Sequence, residues 1–445
     1  MTPARSDTLE TVEPSIGEAF RVWLKIGCLS FGGPSGQIAL MHRLLVEEKR
    51  WIDEPRFLHG LNFCMLLPGP EAQQLATYIG WLMHGVRGGL IAGTLFVLPG
   101  AFVMLGLSLI YVLGSGMSWV EGALFGIKAA VLVIVIEALI RIGRRALKSV
   151  MLVGLAALAF IGIFFLALPF PLIVFGAALT GFIVAHLAPS LLALQPAATA
   201  QAPMPGSWRQ TAMALGIGLT LWWTPVALIA LTLGGDHVLT TIGVFFSKLA
   251  VVTFGGAYAV LAYMAQAAVE SYGWLTPQQM VDGLGLAETT PGPLILVTQF
   301  VGFLAAYGYP APFSPLTAGL IAAALTTWVT FVPSMMWIFA GAPFIERLRA
   351  DQRLSGALAA ITAAVVGVIL NLSLWFGLHV LFGSVSEQRA GWMRWFAFDP
   401  WALDLKVAAL AAAAALLAFV LRRGLVEVVG VMAALGIAVR LVAGT

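Results

Sequence analysis

The chain has 445 residues, 60% of them hydrophobic and 10% charged, where a soluble domain carries about 25% charged residues. That balance excludes a large soluble enzyme and points to a polytopic membrane protein. The net charge of +3 comes with no basic tract, which argues against a nucleic-acid partner. Cys28 and Cys64 form neither a CxxC pair nor a Cys/His ligand set, so neither a disulfide framework nor a metal site is expected.

Residues 1–14 are a polar tail with Asp7, Glu10 and Glu13, and no cleavable signal peptide precedes the first apolar run. Insertion is expected to use internal spans. Residues 15–31 predict a helix with Lys25 inside it, broken by Gly32, Gly33 and Pro34. Residues 37–48 predict an amphipathic helix ending in charge. Residues 55–67 predict a short helix, near 20 Å at about 1.5 Å per residue. A hydrocarbon core of about 30 Å needs roughly 20 residues, so this helix does not cross it. Pro68-Gly69-Pro70 ends that helix, and residues 71–85 predict another short one. The pattern is that of broken or re-entrant hairpins with their breaks at membrane depth.

Full spans are predicted at 90–112, 120–140, 151–168 and 170–188. A Pro/Ala-rich linker at 189–207 and a lone span at 211–233 follow. Shorter helices are predicted at 242–254, 257–269, 278–290 and 294–307, then spans at 315–340, 355–381, 401–421 and 425–442.

One stretch occurs twice at a constant offset of 223 residues (248 − 25, 254 − 31, 291 − 68). Lys25, Phe31-Gly32-Gly33 and Pro68-Gly69-Pro70 recur as Lys248, Phe254-Gly255-Gly256 and Pro291-Gly292-Pro293. Trp51 and Trp274, Gly60 and Gly283, and Met41 and Met264 keep the same spacing. This marks a duplicated unit.

Basic residues reverse their placement between the copies. Arg141, Arg144, Arg145 and Lys148 follow the span at 120–140, whereas Arg347, Arg349 and Arg353 precede the span at 355–381. Residues 42–56 hold Arg43, Lys49, Arg50 and Arg56, while 265–279 hold no Lys or Arg. Basic loops stay cytoplasmic, so equivalent elements are expected on opposite sides. The expected fold is an all-α polytopic membrane protein of two inverted-topology repeats with broken or re-entrant helices, joined by one extra span. Its parts are the tail (1–14), a first repeat (15–188), the linker with the inverting span (189–233) and a second repeat (234–445). Inverted repeats with broken helices are the architecture of secondary transporters, with the substrate near the midplane.

The chain resembles the bacterial chromate ion transporter family in its long, two-half form. The likeness rests on Phe31-Gly32-Gly33-Pro34, Leu67-Pro68-Gly69-Pro70-Glu71, Phe254-Gly255-Gly256, Thr290-Pro291-Gly292-Pro293, Trp274-Leu275-Thr276 and Phe331-Val332-Pro333-Ser334. It covers nearly the whole chain. The resemblance implies a multi-pass protein of the inner membrane that expels chromate from the cytoplasm and confers resistance to it. Chromate is an analogue of sulfate, so sulfate is the natural competitor. No cofactor is implied. Some members are single-half proteins working as pairs, and a homodimer is an open assembly. Many members carry an Ala-His pair where this chain has Gly36-Gln37, so no histidine role carries over there.

A lysine inside a span costs about 2.5–3.5 kcal/mol on insertion scales and faces protein or a wet cavity. Lys25 and Lys248 are therefore candidates to face a tetrahedral dianion, with a snorkelling or strut role as the alternative. Pro34, Pro70 and Pro293 suit the first turn of helices whose free N–H groups attract oxyanions. Gly32, Gly33, Gly69, Gly255, Gly256 and Gly292 admit close backbone approach, beside Pro68 and Pro291; tight helix crossing is the alternative. Glu71 and Glu288 bracket the breaks and are the candidates for proton coupling. Gln73, Gln74, Thr289, Thr290 and Gln299 are candidate polar lining. Lys128, Glu121 and Glu137, on one long span, are weaker candidates. A membrane-embedded chromate reductase would need a flavin, haem or metal motif, and none occurs. A sulfate or other oxyanion carrier and a passive anion channel are the remaining alternatives to a chromate exporter.

Overall fold

A computed structural model describes residues 14–31, 33–192, 208–254, 257–341 and 352–443. Gly32, Gly255, Gly256, Arg347, Arg349, most of the polar tail and most of the linker lie outside the described residues. Among those described, seven helices are long and apolar enough to cross a membrane. They are Glu71–Leu113, Ser118–Ala146, Phe170–Leu187, Trp208–Leu233, Pro315–Gly341, Gln352–Leu381 and Leu425–Val442. The chain is an all-α, multi-pass integral membrane protein.

The first repeat contributes α1 (Ile16–Leu29), α2 (Gly33–His42), α3 (Glu54–Cys64), α4 (Glu71–Leu113), α5 (Ser118–Ala146), α6 (Val150–Phe164) and α7 (Phe170–Leu187). The lone span is α8 (Trp208–Leu233). The second repeat contributes α9 (Val238–Val252), α10 (Ala257–Gln266), α11 (Pro277–Thr289), α12 (Val297–Gly308), α13 (Pro315–Gly341), α14 (Gln352–Leu381), α15 (Leu405–Ala415) and α16 (Leu425–Ala443). α4 is two helices in one. Its backbone leaves helical geometry at His84 and Gly85, where the sequence ends one short helix.

Equivalent residues build equivalent local structure. α3 and α11 both start with a side-chain cap, Asp53 and Thr276, each followed by proline in the first turn. α2 and α10 both widen into a π-turn at their ends, over Arg43–Glu48 and Ala267–Ser271. Each π-turn closes on a tryptophan amide: Trp51 donates to Leu45 O and Trp274 to Ala268 O, both over 2.8 Å.

The long helices are exchanged between the repeats. α5 packs on α15 and α16 of the second repeat, and α14 packs on α6 and α7 of the first. Small residues make both crossings possible. A Cβ on Gly126 would collide with the Met432 carbonyl, and a Cβ on Gly181 with the Gly356 carbonyl. Close approach of this kind drives helix association where lipid is as apolar as leucine. One buried apolar cluster accordingly runs from Val97 to Met432 and includes both repeats.

Residues 383–399, which lie between the expected spans at 355–381 and 401–421, contain a β-hairpin. β1 (Val385–Ala390) pairs antiparallel with β2 (Met393–Phe398). Arg394, only 3% exposed, anchors it. Its amide donates to Phe165 O (2.7 Å), and its guanidinium to Phe164 O (3.2 Å), Ile163 O (2.7 Å) and Glu270 Oε2 (3.0 Å). The cation thus caps the carbonyl end of α6, where a positive charge is favoured, and ties it to the second repeat. The expected span at 401–421 is correspondingly shorter, α15 followed by a π-turn at Leu416–Val420.

Candidate functional site

The two broken helices and the two Pro-Gly-Pro loops meet as a reciprocal pair. α1 stops at Leu29, and the carbonyl of Ser30 accepts the Gly292 N–H at 2.8 Å. α9 stops at Val252, and the carbonyl of Thr253 accepts the Gly69 N–H at 2.8 Å. Ser30 and Thr253, like Gly69 and Gly292, are 223 residues apart (253 − 30, 292 − 69). Each repeat therefore places its loop on the other repeat's helix break.

The local chemistry explains the arrangement. The hydroxyls of Ser30 and Thr253 donate to Ile26 O and Leu249 O at 2.7 Å, and the carbonyls of both residues lie just past the helix ends, where no intrahelical donor follows. Gly69 and Gly292 have φ of +133° and +82°, a region that residues with a Cβ enter only under strain. Gln37, 1% exposed, adds a side-chain bond from Nε2 to Gly292 O at 2.6 Å. Gln37 thus holds the second loop.

Around Gly69 lies a buried polar layer. Ser334 Oγ donates to Gln73 Oε1 (2.7 Å), Gln73 Nε2 to Thr77 Oγ1 (3.2 Å) and Gln74 Nε2 to Pro68 O (2.9 Å). On the other side Gln299 Nε2 donates to Ala101 O at 3.0 Å. The Oε1 atoms of Gln74 and Gln299 have no partner among the described residues. Thr289 and Thr290 direct their hydroxyls to Leu286 O and Ala287 O of their own helix.

The carboxylates sit differently. Glu288 is 4% exposed and accepts the Tyr258 hydroxyl at 3.0 Å. That hydroxyl lies beside Gly33, the first residue of α2. Glu71 occupies the first turn of α4, where a negative charge is favoured. Lys25 and Lys248 stand five residues before Ser30 and Thr253, with side chains exposed and no ion pair among the described residues. The structure brings Pro68, Gly69, Pro70, Gln73 and Gln74 together with Thr253. It brings Pro291, Gly292 and Pro293 together with Ser30 and Gln37. The two lysines it leaves on open helix faces.

The family model for the chromate transporter matches residues 17–182 and 240–439, the two repeats just described. The chain belongs to the chromate transporter family. A chromate transport protein of Pseudomonas aeruginosa is 33% identical over 375 residues, covering 82% of this chain and 82% of its own. A probable chromate transport protein of Synechococcus elongatus is 29% identical over 385 residues, 84% of this chain and 88% of its own. A chromate transport protein of Cupriavidus metallidurans is 29% identical over 350 residues, 78% and 79% of the two chains. No solved structure gives a significant match.

A reading of motifs gives several residues of this chromate transporter family member no place in the site. Ser30, Thr253, Gln37, Tyr258 and Ser334 act through contacts 30 to 262 residues distant in sequence (288 − 258, 292 − 30). A buried ion pair, Lys128 Nζ to Asp282 Oδ1 at 2.9 Å, joins α5 to α11. Its signal in the sequence is a single acid and a single lysine, each set in apolar surroundings.

Proposed function

We propose that the chain is a secondary active transporter that expels chromate from the cytoplasm across the bacterial inner membrane and so confers chromate resistance. The observation that carries this reading is the reciprocal tie of the two Pro-Gly-Pro loops to the opposite broken helices, in a chain of the chromate transporter family. Alternating access by rocking of repeats needs a centre that both repeats share. Inverted topology of the two repeats is part of the proposal, supported by the reversed placement of basic residues.

In this reading the anion sits between the breaks. Lys25 and Lys248 supply charge from helix faces near them. Pro34, Pro70 and Pro293 introduce helices whose first turns offer N–H groups to oxyanion oxygens. Gly69 and Gly292 serve by shape, since their own N–H groups are engaged across the repeats. Gly32, Gly33, Gly255 and Gly256 contribute to the anion site by their small bulk, and Gln73, Gln74, Gln299, Thr289 and Thr290 line the surroundings. Glu71 and Glu288 carry the coupling proton. Sulfate, of the same shape and charge, competes.

Everted membrane vesicles test the reading directly. Chromate uptake that collapses with an uncoupler and is inhibited by sulfate is the expected result. Uptake insensitive to the uncoupler would make the protein a channel, and loss of hexavalent chromium without accumulation would make it a reductase.

A further inference from the structure

Of the six lysines in the chain, five are exposed and one is not. Lys128 has a side chain 17% exposed, in the middle of α5, and Asp282, its partner on α11, has one 5% exposed. Tyr111 of α4 donates its hydroxyl to the other oxygen, Asp282 Oδ2, at 2.9 Å. The cluster is closely packed. The Phe300 ring stands edge-on to Tyr111 at 5.2 Å, and Gly285 lies against Ile127 one turn further along α11.

A buried ion pair is a weak source of stability, because each ion loses several kcal/mol of hydration. Intramembrane charges are retained chiefly where they meet a substrate or each other. The repeat does not demand this pair, since the residue equivalent to Asp282 is His59 (282 − 223). The pair is placed on a route to the loop. α11 runs from Asp282 to Thr289, roughly 10 Å at 1.5 Å per residue, and delivers Pro291-Gly292-Pro293 to Ser30. It also joins first-repeat helices to a second-repeat helix, so its opening is coupled to relative movement of the repeats.

We propose that Lys128 is a further anion-binding residue of this transporter, and that Asp282 is the internal counter-ion that occupies its ammonium when no substrate is bound. This rests on the oxyanion-transport reading above. A tetrahedral dianion reaching α5 competes with a carboxylate of single charge for the same ammonium. When the dianion takes Lys128, Asp282 keeps its hydrogen bond from Tyr111 and is not left bare. When the dianion leaves, the pair reforms and the site is neutral again.

Calorimetry of chromate and of sulfate binding to the purified full-length protein tests this. Asp282→Asn removes the internal competitor and is expected to tighten anion binding about tenfold, while Lys128→Met weakens it about tenfold. In the double variant the gain from Asp282→Asn disappears, because the competition has no object. A purely structural pair gives another pattern: the charge-exchanged Lys128→Asp/Asp282→Lys protein would bind as wild type does. That result, or unchanged affinity in Lys128→Met, overturns the proposal. Asp282→Ser is the second variant should Asp282→Asn fold poorly; if neither folds, Lys128→Met decides alone. Vesicle transport by the wild type is measured alongside. Wild type that binds anions without moving chromate defeats the transport reading and leaves the binding comparison to judge Lys128. Wild type that moves chromate while Lys128→Met binds normally defeats the Lys128 proposal alone. Wild type that binds neither anion overturns both.

Discussion

Gly69 donates its amide to the Thr253 carbonyl across 2.8 Å, so the first repeat's loop is fastened to the end of the second repeat's broken helix. At that bond Gly69 adopts a φ of +133°. A side chain there has little room. A Cβ on Gly69 would lie 2.8 Å from Gln74 Nε2 and 2.9 Å from Ser334 Oγ. At Gly292 the nearest atom to a new Cβ, Phe96 O, is 3.3 Å away. Both positions are strained for alanine by roughly 1–3 kcal/mol, and Gly69 is crowded as well. Gly69→Ala is therefore expected to reduce chromate transport more than Gly292→Ala, and valine at either place to abolish it. Vesicle uptake normalised to membrane abundance measures this; equal tolerance of valine at both would remove the loops from the site.

Lys25→Met and Lys248→Met are each expected to cut chromate export by about tenfold or more, as loss of a charge partner does at a desolvated site. Lys25→Arg should not restore the full rate, because a planar fork is not a compact ammonium. Growth on chromate with immunoblotted membranes is the measurement. Full resistance in both methionine variants would assign the lysines to the lipid boundary, in keeping with their exposed side chains.

Glu71→Gln and Glu288→Gln separate coupling from binding. The amide keeps the shape and loses the exchangeable proton, so chromate binding should survive while the pH dependence of transport is lost. Tyr258→Phe removes the 3.0 Å bond to Glu288 and should shift that pH profile without abolishing transport. Transport driven by a pH gradient that persists in the double glutamine variant would end the coupling role of both carboxylates.

Arg394→Ala leaves Glu270 without its guanidinium and three carbonyls, of Ile163, Phe164 and Phe165, with only the backbone N–H of residue 394 among their present donors. Breaking a buried, hydrogen-bonded pair from one side costs about 3–5 kcal/mol. Thermal unfolding in detergent should show a clear drop in midpoint, smaller for Arg394→Lys. Arg389→Ala, on the exposed face of the same hairpin, is the control and should change little.

Single cysteines introduced into a cysteine-free background at Lys148 and Ser386 should label from opposite sides of the membrane. Both positions are exposed. Ser149 is unsuited to this because its hydroxyl caps the Leu152 amide at 3.3 Å. Labelling of both from one side would contradict inverted topology.

Much of this fold is written locally. The Gly and Pro breaks, the apolar lengths and the 223-residue offset locate nearly every helix, because each depends on neighbours within a few turns. The exchange of long helices is not local. Gly122 and Gly126 advertise a close crossing, but nothing in their surroundings says that Gly436 receives it. The hairpin at residues 385–398 reads as a loop because the residue that fixes it, Arg394, donates its side-chain hydrogen bonds to Ile163, Phe164 and Glu270, all outside the hairpin. The Pro-Gly-Pro breaks at Pro68 and Pro291 are legible as breaks; the engagement of their glycine amides is not, since the acceptors lie 184 and 262 residues away (253 − 69, 292 − 30). Lys128 looks peripheral on its own helix and gains meaning only beside Asp282, 154 residues later (282 − 128).

The crossing of α7 with α14 has a consequence for how the protein is made. α7 is complete at Leu187, but the glycine and alanine face it needs, at Gly356 and Ala360, emerges only with α14. At a synthesis rate of about 5–20 residues per second, Gly181 waits roughly 10–40 s for that partner. During that interval α5 and α7 stand in the bilayer as inserted but unmated helices, their small-residue grooves open to lipid or to other nascent chains. Pulse-chase proteolysis of ribosome-bound chains should find α7 cleavable until the ribosome has passed α14, and α5 until it has passed α16.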